Sequence, residues 1–509
     1  MLLSLLMRGI EPQGIPPPDG DVASVCYDSR QCRPGSLFVA IPGLKADGHA
    51  FIGDALARGA GFIIYEGDFL PPAGVRAIRV RDSRRALGIL GKNFFGDPSS
   101  EICLIAVVGT NGKTTVTYLI ESILRSAGYA VGVLGTVNYR YGGVTLPAPN
   151  TTPESFELQR IIREMADHGV THVAAEVSSH AVALKRIDDC AFDLGIFTNL
   201  TQDHLDFHGG MEEYFQAKKR FFAEVLPAGE KNRPRKMIVN ADDPWGRRIL
   251  REVESECITY GIDTVSDVTA SPFHLSLGGI EAVLHLGEER LAITSPLMGR
   301  FNLSNILAAA AAAFELGIPG RFISDGIAAL THVPGRLEKV STAGQPAVFV
   351  DYAHTDDALR RVLENLAAFR MGKIITVFGC GGDRDRGKRP LMGEAATAGS
   401  DLAVVTSDNP RTEDPREIIR QIETGIRTTR FTDAGDWLRH PGERGYIVVP
   451  DRKEAIAAAI ALADVADIVL IAGKGHEDYQ IIGHRKVPFD DRVIARAELV
   501  RWQTGRARS

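Results

Sequence analysis

The sequence predicts an α/β protein of three domains built on mostly parallel sheets, and three observations support this fold class. The chain has 509 residues, which is more than one hydrophobic core can serve and fits about three domains. Short apolar runs alternate with helical stretches, as they do when helices cover both faces of a parallel sheet. Almost every run is followed at once by a polar or glycine-containing loop, and open α/β sheets bind ligands at the carboxyl ends of their strands.

The apolar runs are expected to form buried strands. They span residues 103–108, 170–177, 193–200, 236–241, 373–379, 401–407 and 467–473. Loop signals at residues 96–100 and 332–336 mark the domain boundaries. We therefore predict an N-terminal domain at 1–100, a central domain at 101–333 and a C-terminal domain at 334–509.

Composition and charge exclude several classes of protein. The net charge of −6 gives no support for binding nucleic acid or an anionic membrane surface. The six cysteines are scattered without metal-ligand spacing, which favours reduced thiols. No run approaches the roughly 18 to 20 apolar residues that span a bilayer. We expect a cytoplasmic monomer with no membrane insertion.

The sharpest motif is a glycine-rich loop between an expected strand and an expected helix. It comprises Gly109, Thr110, Asn111, Gly112, Lys113, Thr114 and Thr115. Such a turn directs backbone N–H groups at phosphate, while its lysine reaches the terminal phosphates and its threonine binds Mg²⁺. The first glycine of the usual P-loop would fall on Val107, so this loop is a shortened variant. It predicts ATP binding on a central sheet of the P-loop ATPase type, although motors, switches and kinases carry such loops too.

Polar groups that follow two later strands are candidate Mg²⁺ ligands. Glu176 ends one apolar run, and His204 with Asp206 follows another. Carboxylates and imidazoles at strand ends beside a P-loop suit a metal ion. Taken alone, His204 could equally be a capping or core histidine. Lys218, taken alone, is most simply a lysine on a helix surface.

An ordered series of motifs gives these residues a context. The series is GTNGKTT (109–115), NTTP (150–153), EVSSH (176–180), TNLTQDHLDFHG (198–209), QAK (216–218), GRFNLSN (299–305), PGR (334–336), DYAHTDDAL (351–359), GCGGDRDRGKRP (379–390), SDNPR (407–411) and AGKGHE (472–477). In this order the chain resembles the Mur ligases from about residue 22 to 495. The last three motifs are similar to those of the members that add diaminopimelate.

The resemblance implies an ATP-dependent ligase that forms an amide through an acyl phosphate, with a Rossmann-like α/β domain at the C-terminus. It implies that Lys113 binds the β- and γ-phosphates, and that Thr114 and Glu176 hold one Mg²⁺. His204 and Lys218 would serve a second Mg²⁺, with Lys218 carbamylated. The nucleotide would be held further by Asn305, Arg336, Asp351 and His354.

The resemblance also implies two further substrates. For UDP-N-acetylmuramoyl-L-Ala-D-Glu it implies contacts from Tyr27, Ser29, Leu44, Lys45, Ala46, Asn150, Thr151, Thr152, Ser178 and Arg186. Leu184 departs from the family, which commonly has glutamine there. For meso-diaminopimelate it implies contacts from Arg384, Asp408, Asn409, Pro410, Arg411, Gly473 and Glu477.

The charges of the last group suit diaminopimelate, whose distal carboxylate needs an arginine and whose distal ammonium needs an acid. A lysine-adding ligase is the nearest alternative, but lysine has no distal carboxylate for Arg411 to bind. A folylpolyglutamate synthetase would carry its P-loop near the N-terminus rather than after 100 residues. A P-loop switch or motor would need no amino-acid pocket.

Overall fold

The computed structural model describes residues 1–43, 46–203, 205–229, 231 and 235–506, with only the backbone of Leu205 and Asp206. The chain forms two compact units. The first comprises Met1–Leu200, Gly210–Thr269 and Leu307–Gly326, and the second comprises Thr201–Gly209, Ala270–Ile306 and the chain from Ile327 onwards. The domain boundaries at residues 100 and 333 stay predictions.

The first hundred residues form a small parallel sheet with strand order β1-β2-β3-β4. The elements are α1 (Leu3–Leu6), β1 (Ser24–Cys26), β2 (Ser36–Val39), α2 (Ile52–Ala57), β3 (Ala60–Tyr65), β4 (Ala77–Arg79), α3 (Ser83–Phe95) and α4 (Pro98–Glu101). Asp82 starts α3 by accepting a hydrogen bond from the backbone N–H of Arg85. The helix ends at Gly96, whose φ of +73° favours glycine.

The chain then builds the sheet that carries the glycine-rich loop. The elements are β5 (Cys103–Val108), α5 (Lys113–Ser126), β6 (Val131–Leu134), β7 (Tyr139–Tyr141), β8 (Val144–Leu146), α6 (Ser155–Asp167), β9 (His172–Val177), α7 (Ser179–Ala183), β10 (Leu194–Phe197), α8 (Leu205–His208), α9 (Met211–Arg220), α10 (Leu226–Ala228), β11 (Lys236–Asn240), α11 (Pro244–Glu252) and β12 (Cys257–Tyr260). The parallel strands follow the order β12-β11-β10-β5-β9-β6. Every residue of β5 is buried, which explains its unbroken apolar run.

The second unit contains a third parallel sheet. The chain continues through β13 (Val268–Ser276), β14 (Gly279–Leu286), β15 (Glu289–Ser295), α12 (Arg300–Glu315), α13 (Gly320–Ala329), β16 (Glu338–Lys339), β17 (Ala347–Asp351), α14 (Asp356–Ala367), β18 (Ile374–Phe378), α15 (Lys388–Gly399), β19 (Leu402–Val405), α16 (Pro415–Glu423), β20 (Thr429–Arg430), α17 (Ala434–Leu438), β21 (Gly445–Val448), α18 (Arg452–Leu462), β22 (Ile468–Ala472), β23 (Tyr479–Ile482), β24 (Arg485–Pro488) and α19 (Asp491–Arg506). The sheet order is β16-β17-β22-β18-β19-β21-β20, and β16 is antiparallel to its neighbour.

Alternate residues of these strands enter two separate cores. Phe349 of β17 packs into the core on one face, whereas Val348 and Val350 pack into the core on the other. Ile374 and Ile375 of β18 are divided in the same way. A strand that is buried on both faces must be apolar throughout, so the runs do not alternate with polar residues.

The structure confirms all the strands predicted from apolar runs: β5 has the predicted bounds, and each of the others is shorter than its run. The run at 170–177, for example, becomes β9, which begins at His172. The α/β fold class is likewise confirmed. Within the described part of the chain, no helix is both long and apolar enough to cross a membrane.

A buried ion pair ties together three elements of the second unit. The guanidinium of Arg452 donates to both carboxylate oxygens of Asp491, at 2.9 and 2.7 Å, and to the carbonyl of Ala472 at 3.0 Å. Both charged side chains are fully buried. The pair therefore links the start of α18, the start of α19 and the end of β22.

We expect Arg452→Met to lower the free energy of unfolding by about 3 to 5 kcal/mol, because it leaves the Asp491 carboxylate buried without a counter-charge. Urea unfolding measures the loss. The double variant Arg452→Met/Asp491→Leu should recover most of it, since neither charge then remains. A loss below about 1 kcal/mol in the single variant would contradict a buried, compensated pair.

Candidate functional site

The glycine-rich loop lies where β5 passes into α5, as the sequence predicts. Gly109 has a φ of +158°, and a Cβ there would collide with Thr198 Oγ1. The ammonium of Lys113 donates to the carbonyls of Gly109 and Thr110 at 2.9 and 2.8 Å. The loop therefore holds its lysine at the N-terminal end of a helix, which is the arrangement that binds phosphate.

The end of the neighbouring strand β10 braces this loop. Asn199 Oδ1 accepts from the backbone N–H of Asn111 at 2.9 Å, and Asn199 Nδ2 donates to the Asn111 carbonyl at 3.1 Å. Thr198 Oγ1 donates to the same carbonyl at 2.7 Å. Sequence reasoning assigned no role to these two residues, although their position after a strand was a usable signal.

Glu176 is buried on β9, next to β5, with both carboxylate oxygens bound. Its Oε1 accepts from the backbone N–H of Thr136 at 2.9 Å, and its Oε2 accepts from Thr136 Oγ1 at 3.0 Å. A Cβ on Gly135 would collide with the carboxylate. Thr136 is thus a site residue that sequence reasoning missed; the Gly-Thr pair directly after β6 was its signal.

Lys218 points into the glycine-rich loop and not into solvent. Its side chain is buried, its Nζ donates to the Gly109 carbonyl at 2.7 Å, and it lies 4.5 Å from the ring centroid of Tyr214. The interpretation of Lys218 as a helix-surface lysine is therefore wrong. His204 lies outside the described residues, and among those residues no group of three or more His, Cys, Asp or Glu side chains could hold a metal.

Residues expected to contact the muramoyl-dipeptide gather beside Glu176. Thr152 Oγ1 donates to the Glu176 carbonyl at 2.9 Å and accepts from the backbone N–H of Ser178 at 3.1 Å. Thr151 Oγ1 lies 3.0 Å from Thr136 Oγ1. Arg186 donates to the Thr152 carbonyl at 3.2 Å, and the Asn150 carbonyl accepts from a tyrosine hydroxyl. The structure brings these predicted residues together.

The residues expected to contact UDP lie in the small N-terminal sheet. Tyr27 follows β1 directly, and burial, followed by the carboxylates of Glu157 and Glu154, raises its pKa to about 12. Ser29 is buried at the start of a 3₁₀ turn, and the Ala46 carbonyl accepts from the Gly43 N–H at 3.0 Å. Leu44 and Lys45 lie outside the described residues.

Leu184, which departs from the family pattern, lines a cavity of about 1020 Å³ in the first unit. Arg84 and Lys185 line the same cavity. Arg84 donates to the carboxylate of Glu154 at 3.4 Å, and Glu154 also accepts from Arg186 at 3.1 Å. An apolar side chain therefore shares this cavity with charged side chains.

In the second unit, three of the residues expected to hold the nucleotide lie together at the end of β17. Asp351 accepts from the backbone N–H groups of Ala353 and Leu337 at 2.8 and 2.6 Å, and burial raises its pKa. The Arg336 guanidinium lies 4.7 Å from the ring centroid of Tyr352. His354 Nδ1 lies 2.9 Å from the Tyr352 carbonyl.

Asn305, the fourth of these residues, is buried on α12. Its Nδ2 donates to Asn302 Oδ1 at 3.1 Å, and Asn302 in turn donates to the Met298 carbonyl at 2.9 Å. This chain of hydrogen bonds fixes the orientation of the Asn305 amide.

The residues expected to bind the amino acid follow β18, β19 and β22, which are neighbours in one parallel sheet. Asn409 Nδ2 donates to Glu477 Oε2 at 2.8 Å, and Arg411 donates to the Gly382 carbonyl at 2.6 Å. A Cβ on Gly473 would lie 2.6 Å from Asp408 Oδ2, and one on Gly381 would lie 3.6 Å from the side chain of Arg384. Pro410 lies between Asn409 and Arg411 in the same loop. The structure thus brings the whole predicted set together.

Two residues of this cluster were missed by sequence reasoning, although both belong to the AGKGHE motif. Lys474 is fully buried and contacts Asn409 and Glu477. His476 is partly buried, with its ring centroid 5.1 Å from that of Tyr352 and with no hydrogen bond to its buried Nδ1. Two glycines at the end of an apolar strand indicated a loop. They did not indicate which side chains of the loop point inward.

Comparisons with known proteins agree with this arrangement. Residues 21–95 match the Mur ligase family catalytic domain, residues 107–313 match the Mur ligase middle domain, and residues 335–475 match the Mur ligase glutamate ligase domain. UDP-N-acetylmuramoyl-L-alanyl-D-glutamate–2,6-diaminopimelate ligase of Geobacter sulfurreducens is 48% identical over 93% of this chain and 94% of its own. The enzyme of the same name from Geobacter metallireducens is 47% identical over 93% of each chain.

Solved structures give the same relationship. A structure of a UDP-N-acetylmuramoyl-L-alanyl-D-glutamate–2,6-diaminopimelate ligase superposes with a TM-score of 0.67 at 33% identity and covers 95% of both chains. A Mycobacterium tuberculosis folylpolyglutamate synthase with bound ADP shares the fold at a TM-score of 0.59 and 18% identity, over 77% of this chain. The three matched domains also confirm the predicted three-domain architecture.

We expect His476 to make stability depend on pH. Burial, followed by the charges of Arg336 and Arg492, lowers the pKa of His476 to about 4. In the unfolded chain a histidine takes up its proton near pH 6.5. The contribution of His476 to the free energy of unfolding is therefore complete above that pH and is lost as the pH falls towards 4. Between pH 7 and pH 5 the loss should be about 2 kcal/mol.

Urea unfolding of the wild type and of His476→Gln at several pH values measures this contribution. The loss of unfolding free energy between pH 7 and pH 5 that we assign to His476 should disappear in His476→Gln. It should persist in His484→Gln, which replaces an exposed histidine. Identical pH dependence in all three proteins would refute the assignment.

Proposed function

The chain belongs to the Mur ligase family, and we propose that it joins meso-2,6-diaminopimelate to the D-glutamyl carboxylate of UDP-N-acetylmuramoyl-L-Ala-D-Glu at the expense of ATP. The observation that carries the amino-acid assignment is the cluster of Arg411, Arg384, Asp408 and Glu477 at the ends of adjacent strands. It offers both cations and acids, as a substrate with a second amino-acid head requires. The names of its relatives support the same reaction, which is a step of peptidoglycan synthesis.

The reaction proceeds in two balanced steps. A carboxylate oxygen of D-glutamate attacks the γ-phosphorus of ATP, ADP leaves, and an acyl phosphate forms. The amine nitrogen of diaminopimelate then attacks the acyl carbon, and the tetrahedral intermediate expels inorganic phosphate as the nitrogen loses a proton. Neither step needs a protein nucleophile, so the chain must supply position and charge.

Lys113 is the residue that faces the transferring phosphoryl group in this proposal. The structure holds its ammonium over the loop carbonyls, from where it can move to phosphate oxygens. The backbone of residues 109–115 binds the phosphates, and Asn305, Arg336, Asp351 and His354 hold the remainder of the nucleotide.

The residues around the loop fit Mg²⁺ in part. The Glu176 carboxylate and the Thr114 hydroxyl are hard oxygen donors at the ends of neighbouring elements, and Mg²⁺ prefers oxygen ligands. Lys218 fits only as a carbamate, since an ammonium would repel the ion. Lys218 and His204 would then hold a second Mg²⁺, and the bound ions would supply charge neutralisation at the phosphoryl oxygens.

The muramoyl-dipeptide is assigned to the residues that gather beside Glu176: Asn150, Thr151, Thr152, Ser178 and Arg186. This places the reacting carboxylate beside the Glu176 end of β9 and the glycine-rich loop. The uridine diphosphate is assigned to Tyr27, Ser29, Leu44, Lys45 and Ala46. Because nucleotide-linked precursors and ATP are cytoplasmic compounds, we expect the enzyme to act in the cytoplasm, as a monomer.

A coupled assay of phosphate release tests the proposal directly. With the UDP-dipeptide and ATP present, phosphate release should require diaminopimelate and should be lost in Lys113→Ala, which keeps the fold. Release that depends on L-lysine instead would identify a lysine-adding ligase. Release on a folate substrate alone would identify a folylpolyglutamate synthetase.

Carbamylation of Lys218 gives a prediction of its own. We expect Lys218→Ala to be nearly inactive, because the variant lacks the anionic group that binds the second Mg²⁺. A short-chain carboxylic acid that enters the vacated space should restore part of the activity, whereas the corresponding amide should not. An unmodified lysine in a high-resolution map of active, ATP-bound enzyme would refute carbamylation.

Selectivity for the amine gives another prediction. We expect diaminopimelate to be used at least about 100-fold better than L-lysine in kcat/KM, or about 2.7 kcal/mol. Lysine would leave the Arg411 guanidinium desolvated without a carboxylate, and stranding such a partner costs about 2 to 5 kcal/mol. Arg411→Ala should raise KM for diaminopimelate with little change in kcat, since the contact is remote from the reacting amine.

Arg411→Ala should also lower the ratio of kcat/KM for diaminopimelate to kcat/KM for L-lysine. In this variant, bound lysine no longer leaves a guanidinium without a carboxylate. Steady-state kinetics of both proteins with both amines measure the two ratios. If the wild type uses lysine comparably, or if the ratio is the same in Arg411→Ala, the loop at 408–411 is a structural turn and the choice of amine lies elsewhere.

A further inference from the structure

We propose that Lys474 is a positioning residue for the amine substrate, which turns Glu477 and Asn409 so that one carboxylate oxygen faces the distal ammonium and one amide N–H faces the distal carboxylate. The proposal rests on the assignment of the 408–411 and 473–477 loops to diaminopimelate. Lys474 itself makes no contact with the substrate in this arrangement. It acts on the substrate through Glu477 and Asn409.

The ammonium of Lys474 bridges the two residues that it would position. Its Nζ lies 2.9 Å from Glu477 Oε2 and 3.1 Å from Asn409 Oδ1. The side chain of Lys474 is fully buried, whereas that of Glu477 is 18% exposed. The cation therefore lies behind the carboxylate, on the protein side, and the carboxylate lies towards the open side.

The hydrogen bonds of Asn409 show how little freedom its amide retains. Oδ1 accepts from Lys474 Nζ and from the backbone N–H of Ile481, the latter at 2.9 Å. Nδ2 donates to Glu477 Oε2 at 2.8 Å. A side-chain amide has two acceptor positions and two N–H donors, so three of the four are used and one N–H remains. Only an acceptor can face an ammonium, so Lys474 also fixes which end of the amide points inward.

Glu477 is constrained in the same way. Its Oε2 receives both Lys474 Nζ and Asn409 Nδ2, while no hydrogen bond reaches Oε1 from the described residues. One oxygen thus anchors the side chain and the other is available to a ligand cation. Without Lys474, the carboxylate would keep a single neutral anchor and could turn away from the pocket.

The backbone around Lys474 explains why it points inward. Gly473 has a φ of +117° and Gly475 a φ of +53°, conformations that L side chains rarely adopt. A Cβ on Gly473 would approach Asp408 Oδ2 to 2.6 Å, and one on Gly475 would approach Tyr352 Cβ to 2.7 Å. The Gly-Lys-Gly sequence therefore turns the chain tightly at the end of β22 and buries the lysine between them.

The buried charges behind the pocket give the proposal an electrostatic consequence. Asp408, Glu477 and Asp491 carry three negative charges, and Lys474 and Arg452 carry two positive ones. Asp408 and Glu477 both act on Arg452, so the groups form one electrostatic cluster. Removal of Lys474 would leave the anchored Glu477 oxygen without its buried counter-charge, and an uncompensated buried charge is strongly unfavourable. The carboxylate would then turn towards solvent and away from the distal ammonium.

The test compares diaminopimelate with 2-aminopimelate, which keeps the distal carboxylate and lacks the distal amine. The wild type should prefer diaminopimelate in kcat/KM by about 10- to 100-fold, as expected for one charge-assisted hydrogen bond. In Lys474→Met this preference should fall to within about 3-fold, chiefly through a higher KM for diaminopimelate. KM for ATP and for the UDP-dipeptide should stay close to their wild-type values.

A matched control separates positioning from general destabilisation. Lys231 is another buried lysine, 5% exposed, that pairs with the buried Asp193 in the first unit. Lys231→Met should lower the melting temperature and leave the preference for diaminopimelate over 2-aminopimelate unchanged. If Lys474→Met fails to fold, Lys474→Gln takes its place, because a glutamine can still donate to Asn409 or Glu477. Its preference for diaminopimelate over 2-aminopimelate should lie between those of the wild type and Lys474→Met.

The outcomes distinguish this inference from the proposed function. A wild-type enzyme that does not use diaminopimelate overturns the proposed function. A wild-type enzyme that uses it, combined with Lys474 variants that keep the full preference over 2-aminopimelate, overturns the positioning role alone.

Discussion

Parallel strands bring their carboxyl ends to one edge of a sheet, and the chemistry of this chain depends on that constraint. In the first unit, the carboxyl ends of β6, β9, β5 and β10, or the loops directly after them, carry Thr136, Glu176, the glycine-rich loop and Asn199. In the second unit, the carboxyl ends of β17, β22, β18 and β19, or the loops directly after them, carry Asp351, Lys474, Arg384 and Asn409. Residues far apart in the sequence meet there because the sheets are buried on both faces and the loops that follow neighbouring parallel strands leave from the same edge.

Buried lysines are a recurring device at these edges. Lys218 donates to the Gly109 carbonyl from a buried position, and Lys474 donates to an amide and a carboxylate from a buried position. A buried ammonium is tolerated only where polar partners surround it. Each lysine therefore restricts the conformations of the groups around it.

Glycines make these loop arrangements possible in two ways. They allow functional side chains to approach the backbone closely, and they adopt backbone conformations that other residues rarely adopt. At Gly109, Gly135 and Gly473, a Cβ would meet a threonine, a glutamate and an aspartate of the site, respectively. The functional side chains can be packed closely because their neighbours in space have no side chain. One added methyl group at such a position would therefore displace a functional group.

Sequence alone determined the fold class, the buried strands and the order of the site loops. Continuous apolar runs and glycine-rich loops are local signals, and the resemblance to a known family added the expected roles of residues such as Lys113, Arg336 and Arg411. Tertiary structure decided which side chains those loops turn inward. Three contacts show this: Lys218 with Gly109, Thr136 with Glu176, and Lys474 with Asn409 and Glu477. Each of them joins different elements or loops of the fold. Such contacts depend on strand order and on the register of neighbouring strands, and neither is written in the spacing of residues along one segment.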